Sequence, residues 1–420
     1  MDVSKVAKQI KLLYSANTET ATPFELAEDM LSHIDIDWKD PNLKFLDPCC
    51  GRGTFLLALL EKLQDYHTID HIVTNMLYGS DISKIQSAIA TKALRKISGL
   101  QPNIYNTDSL EKEFDIQFDV VVGSPPFNKP NPVSSDRMQP KNHNLWTEFA
   151  YKSFKEFVKP NGWVSFVTPD SWMSPSNDLY KLFKEKQLLR VDLNCARFFK
   201  GGSSFTAWTA QNVPYTQETD FGNTSVDLRV FPYLPRNIKD NLSIHKKVLA
   251  TTLSSINAVR GKAYKIIDVV GDNTCHSSKT FVAREESKEF KYLLQHTNAQ
   301  VRYSNKKSLY HDNIKVMWTL SGYYKPHIDL GTMGFTEVNQ AILCESEDEA
   351  KAVYSIMNSK LYHLIVTTAK WSGFLNGKVF LMLPDLGKHK VYTDEEIYKL
   401  FDLSEEEIEV CERITVDNGE

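Results

Sequence analysis

Ser124-Pro125-Pro126-Phe127 follows directly on the apolar run Val120-Val121-Val122-Gly123. The run reads as a buried strand, which the prolines end because they cannot donate to a ladder. What remains is a set of acceptors and a ring. The Ser124 hydroxyl and the Pro125 carbonyl can each hold a hydrogen of an exocyclic amine and leave its nitrogen lone pair free to meet an electrophile. Two prolines stiffen the backbone that presents those acceptors. The Phe127 ring offers a face for a base drawn out of a duplex, where its amine would otherwise be unreachable. Catalysis at such a site is placement and charge complementarity, without a covalent enzyme intermediate.

A second constellation lies upstream, in Asp47-Pro48-Cys49-Cys50-Gly51-Arg52-Gly53-Thr54-Phe55. Gly51 and Gly53 allow a tight turn and close approach of a ligand to the backbone. The pattern is neither GxGxxG nor GK[ST], and an aspartate just before the glycines would repel a pyrophosphate. It suits a cationic amine instead. Asp81, with Ile82 beside it in the stretch GSDIS, is placed to accept from ribose hydroxyls, and Asp108 in NTDSL can accept from the amino group of an adenine. Any one of these aspartates alone is ordinarily a helix N-cap; three in succession, each at a strand end, point to a ligand. A cationic amino acid, a ribose and an adenine together make S-adenosylmethionine. Cys49 and Cys50 read as small packing residues.

These residues need strands that end at each of them. Short apolar runs at 43–48, 76–82, 103–108, 118–125 and 163–169 alternate with helical patterns at 54–63, 83–97 and 145–159. The last of these carries Trp146, Phe149, Ala150, Ser153, Phe154 and Phe157 on one stripe. Such alternation implies an α/β protein with a mainly parallel sheet covered on both faces, and ligands of such sheets bind beyond the carboxyl ends of the strands. Segments 188–195 and 205–213 are close enough to pair as an antiparallel edge.

DPCCGRGTF, GSDIS, NTDSL and VVGSPPF, in that order, resemble the amino-methyltransferases of DNA, which carry a D-P-x-C-G-x-G-x-F loop and a [DNS]-P-P-[YF] motif. TATPFELAEDML (Thr20–Leu31) is similar to the motif that closes over the methionine end of the cofactor. The resemblance therefore adds Thr22 and Pro23 to Asp47, Pro48, Gly51, Gly53, Asp81, Ile82 and Asp108 as the S-adenosylmethionine-binding set. The motif order looks like the gamma (TaqI-like) arrangement, typical of adenine-N6 enzymes with a C-terminal target-recognition domain. It implies a Rossmann-like seven-stranded methyltransferase sheet over residues 1–215 and an α+β target-recognition domain with an acidic helical tail over 216–420. The segment Cys195–Asn212 resembles the part of the family that lines the base pocket, with Phe198, Phe199 and Phe205 as candidates. Adenine-N6 enzymes usually carry Asn or Asp where Ser124 stands, and cytosine-N4 enzymes commonly carry Ser, generally as SPPY. The motif order and Phe127 favour N6 of adenine; cytosine-N4 is the near alternative, and RNA-adenine or protein-glutamine methylation the further ones. A non-catalytic nucleic-acid-binding module of the same fold is disfavoured by the intact loop and SPPF.

The 420 residues suffice for two domains. No run approaches a membrane span of roughly 20 apolar residues, and the first residues lack a signal-peptide core. Six scattered cysteines have neither disulfide-framework nor zinc spacing, so no metal is expected and a reducing cytoplasm is the simple reading. Net charge is −4, but residues 221–340 hold 17 Lys+Arg against 10 Asp+Glu, while residues 401–420 hold 1 against 8. An acidic tail hides a basic middle. Within it Arg302, Lys306, Lys307, Lys315 and Lys325 interleave with Tyr303, Tyr310, Trp318, Tyr323 and Tyr324, a pattern suited to phosphates and bases. Lys306 and Lys307 are the candidate contacts to double-stranded DNA. Thr393 and Ser404 are expected to cap two short acidic helices. The proline-rich stretch 128–144 reads as a loop over the site. The expected setting is a monomer in a bacterial cytoplasm, its gene cellular or phage-borne, with a cognate restriction endonuclease as an optional partner.

Overall fold

The computed structural model describes residues 22–127, 144–198, 205–249, 267–277, 280–297, 300–371 and 373–416. The chain divides into two compact units. The first comprises Met1–Trp172 and Asn177–Leu228, the second Met173–Ser176 and Arg229–Glu420.

The first unit is built on a nine-stranded mixed sheet in the order β3-β2-β1-β4-β5-β7-β6-β8-β9. Its strands are β1 (Phe45–Asp47), β2 (Leu77–Ser80), β3 (Asn103–Tyr105), β4 (Phe118–Gly123), β5 (Val158–Pro169), β6 (Lys186–Asp192), β7 (Phe205–Pro214), β8 (Thr219–Asp220) and β9 (Ser225–Val226). Strands β3, β2, β1, β4 and β5 run parallel, and β7 is antiparallel to both β5 and β6. The expected pairing of the 188–195 and 205–213 segments is present, but β8 and β9 carry the sheet past it, so it is not the edge.

Both faces of the sheet are covered. Phe45, Val120 and Val122 join one apolar cluster with α1 (Phe24–Ser32), α2 (Thr54–Leu63) and α3 (Lys84–Ser98). Leu46 and Val121, which alternation turns to the opposite face, are just as fully buried. That is why these strands read as continuous apolar runs. Ser83 caps α3 by accepting from Gln86 N, and Gly99 ends it in the left-handed region. In the 145–159 segment every stripe residue is buried as expected. The α-helix (α4, Leu145–Lys152) nevertheless gives way to a π turn over Ser153–Phe157, and β5 starts at Val158. The Pro-Asn-Gly turn thus sits inside the strand run, beside a register shift between Phe118 and Val120. A side chain at Gly162 would lie 2.8 Å from the Asp119 carbonyl, so the shift depends on glycine. Helix α5 (Asp178–Glu185), capped by Asn177, precedes β6.

In the second unit, α6 (Ile238–Val248) is followed by a four-stranded sheet, β10-β12-β11-β15, and a three-stranded one, β14-β13-β16. These contain β10 (Val282–Ala283), β11 (Tyr292–Gln295), β12 (Val301–Ser304), β13 (Ile314–Thr319), β14 (His327–Leu330), β15 (Gly334–Phe335) and β16 (Asn339–Leu343). Helices α7 (Glu347–Met357), α8 (Lys360–Thr368), α9 (Asp394–Leu400) and α10 (Glu405–Glu412) follow. Thr393 and Ser404 form the expected capping boxes of α9 and α10. Among the described residues no helix is long and apolar enough to cross a membrane.

Candidate active site

Four strand ends carry the polar residues singled out from the sequence. Asp47 is the last residue of β1, Asp81 follows β2, Asp108 lies three residues beyond β3, and Ser124 follows β4. None of the aspartates is a helix N-cap; Gly53 and Ser83 hold those places on α2 and α3. Each aspartate instead uses Oδ1 to accept the backbone N–H two residues on: Cys49 at 3.1 Å, Ser83 at 2.8 Å and Leu110 at 2.9 Å. Three Asx turns therefore set three loops on one rim.

Those loops are tied to one another. Asp81 Oδ2 accepts from Gly51 N at 2.8 Å, so one carboxylate bridges the glycine loop and the start of α3. Cys50 N donates to the Ser80 carbonyl at 2.8 Å, and Asp81 N to that of Tyr105 at 3.1 Å. Asn106 Nδ2 donates to the carbonyls of Asp81 and Ile82. With its backbone so held, the Ile82 side chain stands 73% exposed. Gly51 has φ +51° and a Cβ there would have nothing within 4 Å, whereas at Gly53, with φ +88°, it would press on Ala90. Gly51 is the open floor of the loop and Gly53 the close contact to α3. Pro48 lies in the turn between Asp47 and Cys49. Thr22 and Pro23 precede α1 directly, and α1 packs along α2, the helix that the glycine loop begins.

Asp47 is buried, and that burial pushes its carboxyl up to about 8; the Cys49 N–H opposes the rise and the negative charge of Asp81 adds to it. A buried acid next to a second acid is a place that a cation would relieve. Burial also holds both neighbouring thiols well above their ordinary value, with Asp47 and Asp81 adding to the effect. Cys49 and Cys50 are thus protonated and poor nucleophiles.

The loop reaches the SPPF segment through residues the sequence reading had set aside. The Ser124 backbone offsets a small part of the rise in the Cys49 thiol. A Cβ on Gly123 would fall 2.9 Å from Asp47 Oδ1 and 3.4 Å from Cys49 Sγ. A glycine closing a strand where no turn is needed is the one sequence signal for that approach. Ser124 is half-buried, Pro125 buried, Pro126 exposed and Phe127 half-buried.

Phe127 meets Phe205, their ring centroids 5.1 Å apart and their planes inclined by 38°. Phe205 opens β7 and is paired with Pro169 at the end of β5. The junction is fixed by two indoles: Trp172 Nε1 donates to Thr206 Oγ1 at 2.8 Å, and Trp208 Nε1 to Thr168 Oγ1 at 3.0 Å. Phe198 packs on the core cluster under the Arg197 guanidinium, 4.4 Å from its ring centroid, and Arg197 pairs with Asp192 at 2.6 Å. Phe199 and the stretch 128–143 lie outside the described residues.

Lys306 and Lys307 belong to the second unit, and both are exposed. Lys306 Nζ lies 4.3 Å from the Phe281 ring centroid, and Lys307 pairs with Asp312. The basic-aromatic reading of 301–328 needs correction at three places. Lys315 is fully buried in an ion pair with Asp329, and Trp318 and Tyr324 are core residues. Among the described residues no cluster of His, Cys, Asp or Glu could hold a metal ion.

The sequence profile of the family described as N-6 DNA Methylase matches residues 15–188. Among characterised proteins, the Type II methyltransferase M.VspI of Vibrio sp. (strain 343) is 24% identical over 161 residues, 36% of this chain and 37% of that one. The Modification methylase CviBIII of Paramecium bursaria Chlorella virus NC1A is 24% identical over 156 residues, again 36% and 37%. The match thus spans little more than a third of each relative's length. Among solved structures, a nuclease-deletion mutant of the Type ISP restriction-modification enzyme LlaGI, in complex with a DNA substrate mimic, is similar over 94% of this chain and 48% of its own, with a TM-score of 0.57 and 14% identity. That likeness is one of fold.

Proposed function

We propose that the chain is a DNA methyltransferase that moves a methyl group from S-adenosylmethionine to N6 of an adenine flipped out of the duplex. The observation that carries this reading is the joining of two sites. The aspartate-glycine loop, with its buried Asp47 and Cys49, lies against Gly123, the residue before Ser124, and four residues after that glycine Phe127 meets Phe205. We read strands β3 to β6 as the Rossmann-like seven-stranded methyltransferase sheet, with β8 and β9 added beyond it. The second unit is read as the α+β target-recognition domain, which the LlaGI mutant's DNA substrate mimic supports by analogy of fold.

The residues at the rim fit the cofactor. Asp47, whose carboxyl burial keeps protonated until a cation arrives, would take the amino group; Asp81 the ribose; Asp108 the adenine amine; and Ile82 the adenine face. Pro48, Gly51, Gly53, Thr22 and Pro23 would shape the walls. When bound, S-adenosylmethionine supplies an electrophilic methyl group on a sulfonium. Ser124 Oγ and the Pro125 carbonyl hold the two hydrogens of the substrate amine and so orient its lone pair. Phe127, braced by Phe205, stacks on the base and keeps water from the reacting face.

Methylated DNA digested to nucleosides and analysed by mass should contain N6-methyladenine. Ser124 in place of Asn or Asp is the observation that favours the second reading, cytosine-N4, and N4-methylcytosine as the sole product would replace the base assignment. Methylated glutamine in a protein, with unmodified DNA, would overturn the substrate class.

A further inference from the structure

Two loops of the second unit form a tip that its core does not explain. The first follows β13. Leu320 N donates to the Val338 carbonyl at 2.8 Å, Ser321 N to Thr319 Oγ1 at 3.1 Å, and Gly322 turns the chain with φ +84°. Tyr324 is then driven into the core, where its hydroxyl donates to the Met357 carbonyl at 3.0 Å. Between these anchors Tyr323 stands 93% exposed. The second loop, following α8, carries Phe374, 54% exposed. Ser321 and Phe374 form an antiparallel bridge, Leu375 N donates to the Leu320 carbonyl at 2.7 Å, and Lys370 Nζ donates to that of Gly322 at 2.8 Å.

A single exposed aromatic needs no explanation. Here two stand on adjoining loops whose backbones are fixed to each other, so the rings are presented without the entropy loss of ordering a mobile loop. Within the loops themselves, residues 320–326 and 369–378, the charged side chains are Lys325, Lys370 and Lys378, and Lys325 and Lys378 are exposed. Exposed aromatic rings on loops that carry lysines are matched to a polyanion with flat faces to stack on.

We propose that Tyr323, supported by Phe374, is a wedge that inserts between stacked bases of the duplex while Lys325 and Lys378 hold the flanking phosphates. This rests on the reading of the chain as a DNA methyltransferase. The test uses the full chain and a duplex carrying the sequence that the wild type is found to methylate. Tyr323→Ala weakens duplex binding about 5- to 150-fold, the range for one lost base–aromatic stack, and leaves its salt dependence unchanged. Tyr323→Phe and Tyr323→Trp bind like the wild type, and Phe374→Ala shows a smaller loss in the same direction. Lys378→Ala lowers the salt slope by about 0.9. An abasic nucleotide moved stepwise through the site tightens wild-type binding at the step entered, where unstacking is already done, and gives Tyr323→Ala no gain at that step. Binding by Tyr323→Ala equal to the wild type, or identical abasic profiles for the two proteins, overturns the wedge while the methyltransferase reading stands. A wild type that modifies no DNA overturns both.

Discussion

The Phe127 ring reaches across the end of β5 to touch Phe205, and this places the ring outside the ladder that supports it. Phe127→Ala should therefore lower turnover while leaving cofactor affinity and unfolding midpoint nearly unchanged. A lost stack of about 1–3 kcal/mol corresponds to about 5- to 150-fold if it falls wholly on the transition state. Single-turnover methylation set beside calorimetric binding would separate the two effects. Asp47 supports a pH prediction. Its carboxyl, ordinarily near 3.8, is raised to about 8 in the ligand-free fold, so between those values the folded state holds a proton that the unfolded chain has lost. Ligand-free stability then falls as pH rises through this window. A cation bound there favours the carboxylate, so binding expels the proton and cofactor affinity should climb from pH 6 toward pH 8. Titration calorimetry in two buffers of different ionisation enthalpy should show proton release below pH 7, where the ligand's own amine stays charged. Asp47→Asn should abolish the release; an unchanged release would remove Asp47 from the amine.

At the scale of elements, Asp81 does two jobs: it holds the Gly51 N–H and the Ser83 N–H. Asp81→Ala should lower stability by about 1–3 kcal/mol in the absence of cofactor and weaken cofactor binding as well. A variant with native stability would mean the loop is held elsewhere. The buried pair of Lys315 and Asp329 joins β13 to β14, and Asp329 also accepts from Thr332. Asp329→Ala should cost the second unit about 3–5 kcal/mol through a stranded ammonium, and adding Lys315→Met should restore part of it; denaturant unfolding measures both. Strand ends were legible in the sequence because each apolar run stops at an aspartate or at Ser124. Helix α2 was legible because its period is unbroken from Thr54 to Leu63. The π turn at Ser153–Phe157 was not, since it keeps the same buried stripe as an α-helix. Lys315 misled for a related reason: alternation along β13 puts it on a buried face, and only the partner 14 residues away in the chain makes a lysine tolerable there.

For the molecule as a whole, the described residues of the basic middle include cations in unlike settings. Lys306 is exposed over Phe281, whereas Lys307 is partly neutralised by Asp312. Lys306→Ala should reduce the salt dependence of DNA binding by about 0.9 in slope and Lys307→Ala by less; equal slopes for both variants and the wild type would place the pair away from the phosphates. The difference between the two lysines was not legible in the sequence, because Asp312 lies beyond an intervening turn. The adjacency of Cys49 and Ser124 escaped the sequence altogether, as it arises from the parallel pairing of β1 with β4 across more than seventy residues.

Met173–Ser176 belongs to the second unit although the chain on either side of it belongs to the first. Met173 receives a hydrogen bond from Leu234 N at its carbonyl, and Ser174 Oγ accepts from Asn376 Nδ2 at 2.9 Å. The chain therefore passes from one unit to the other three times. A graft that exchanged everything after Leu228 for the corresponding part of a relative would leave four native residues facing foreign neighbours. Hybrids that bring their own version of this short stretch should fold more often than those joined at one point. Lineages that trade second units would have to trade this short stretch with them.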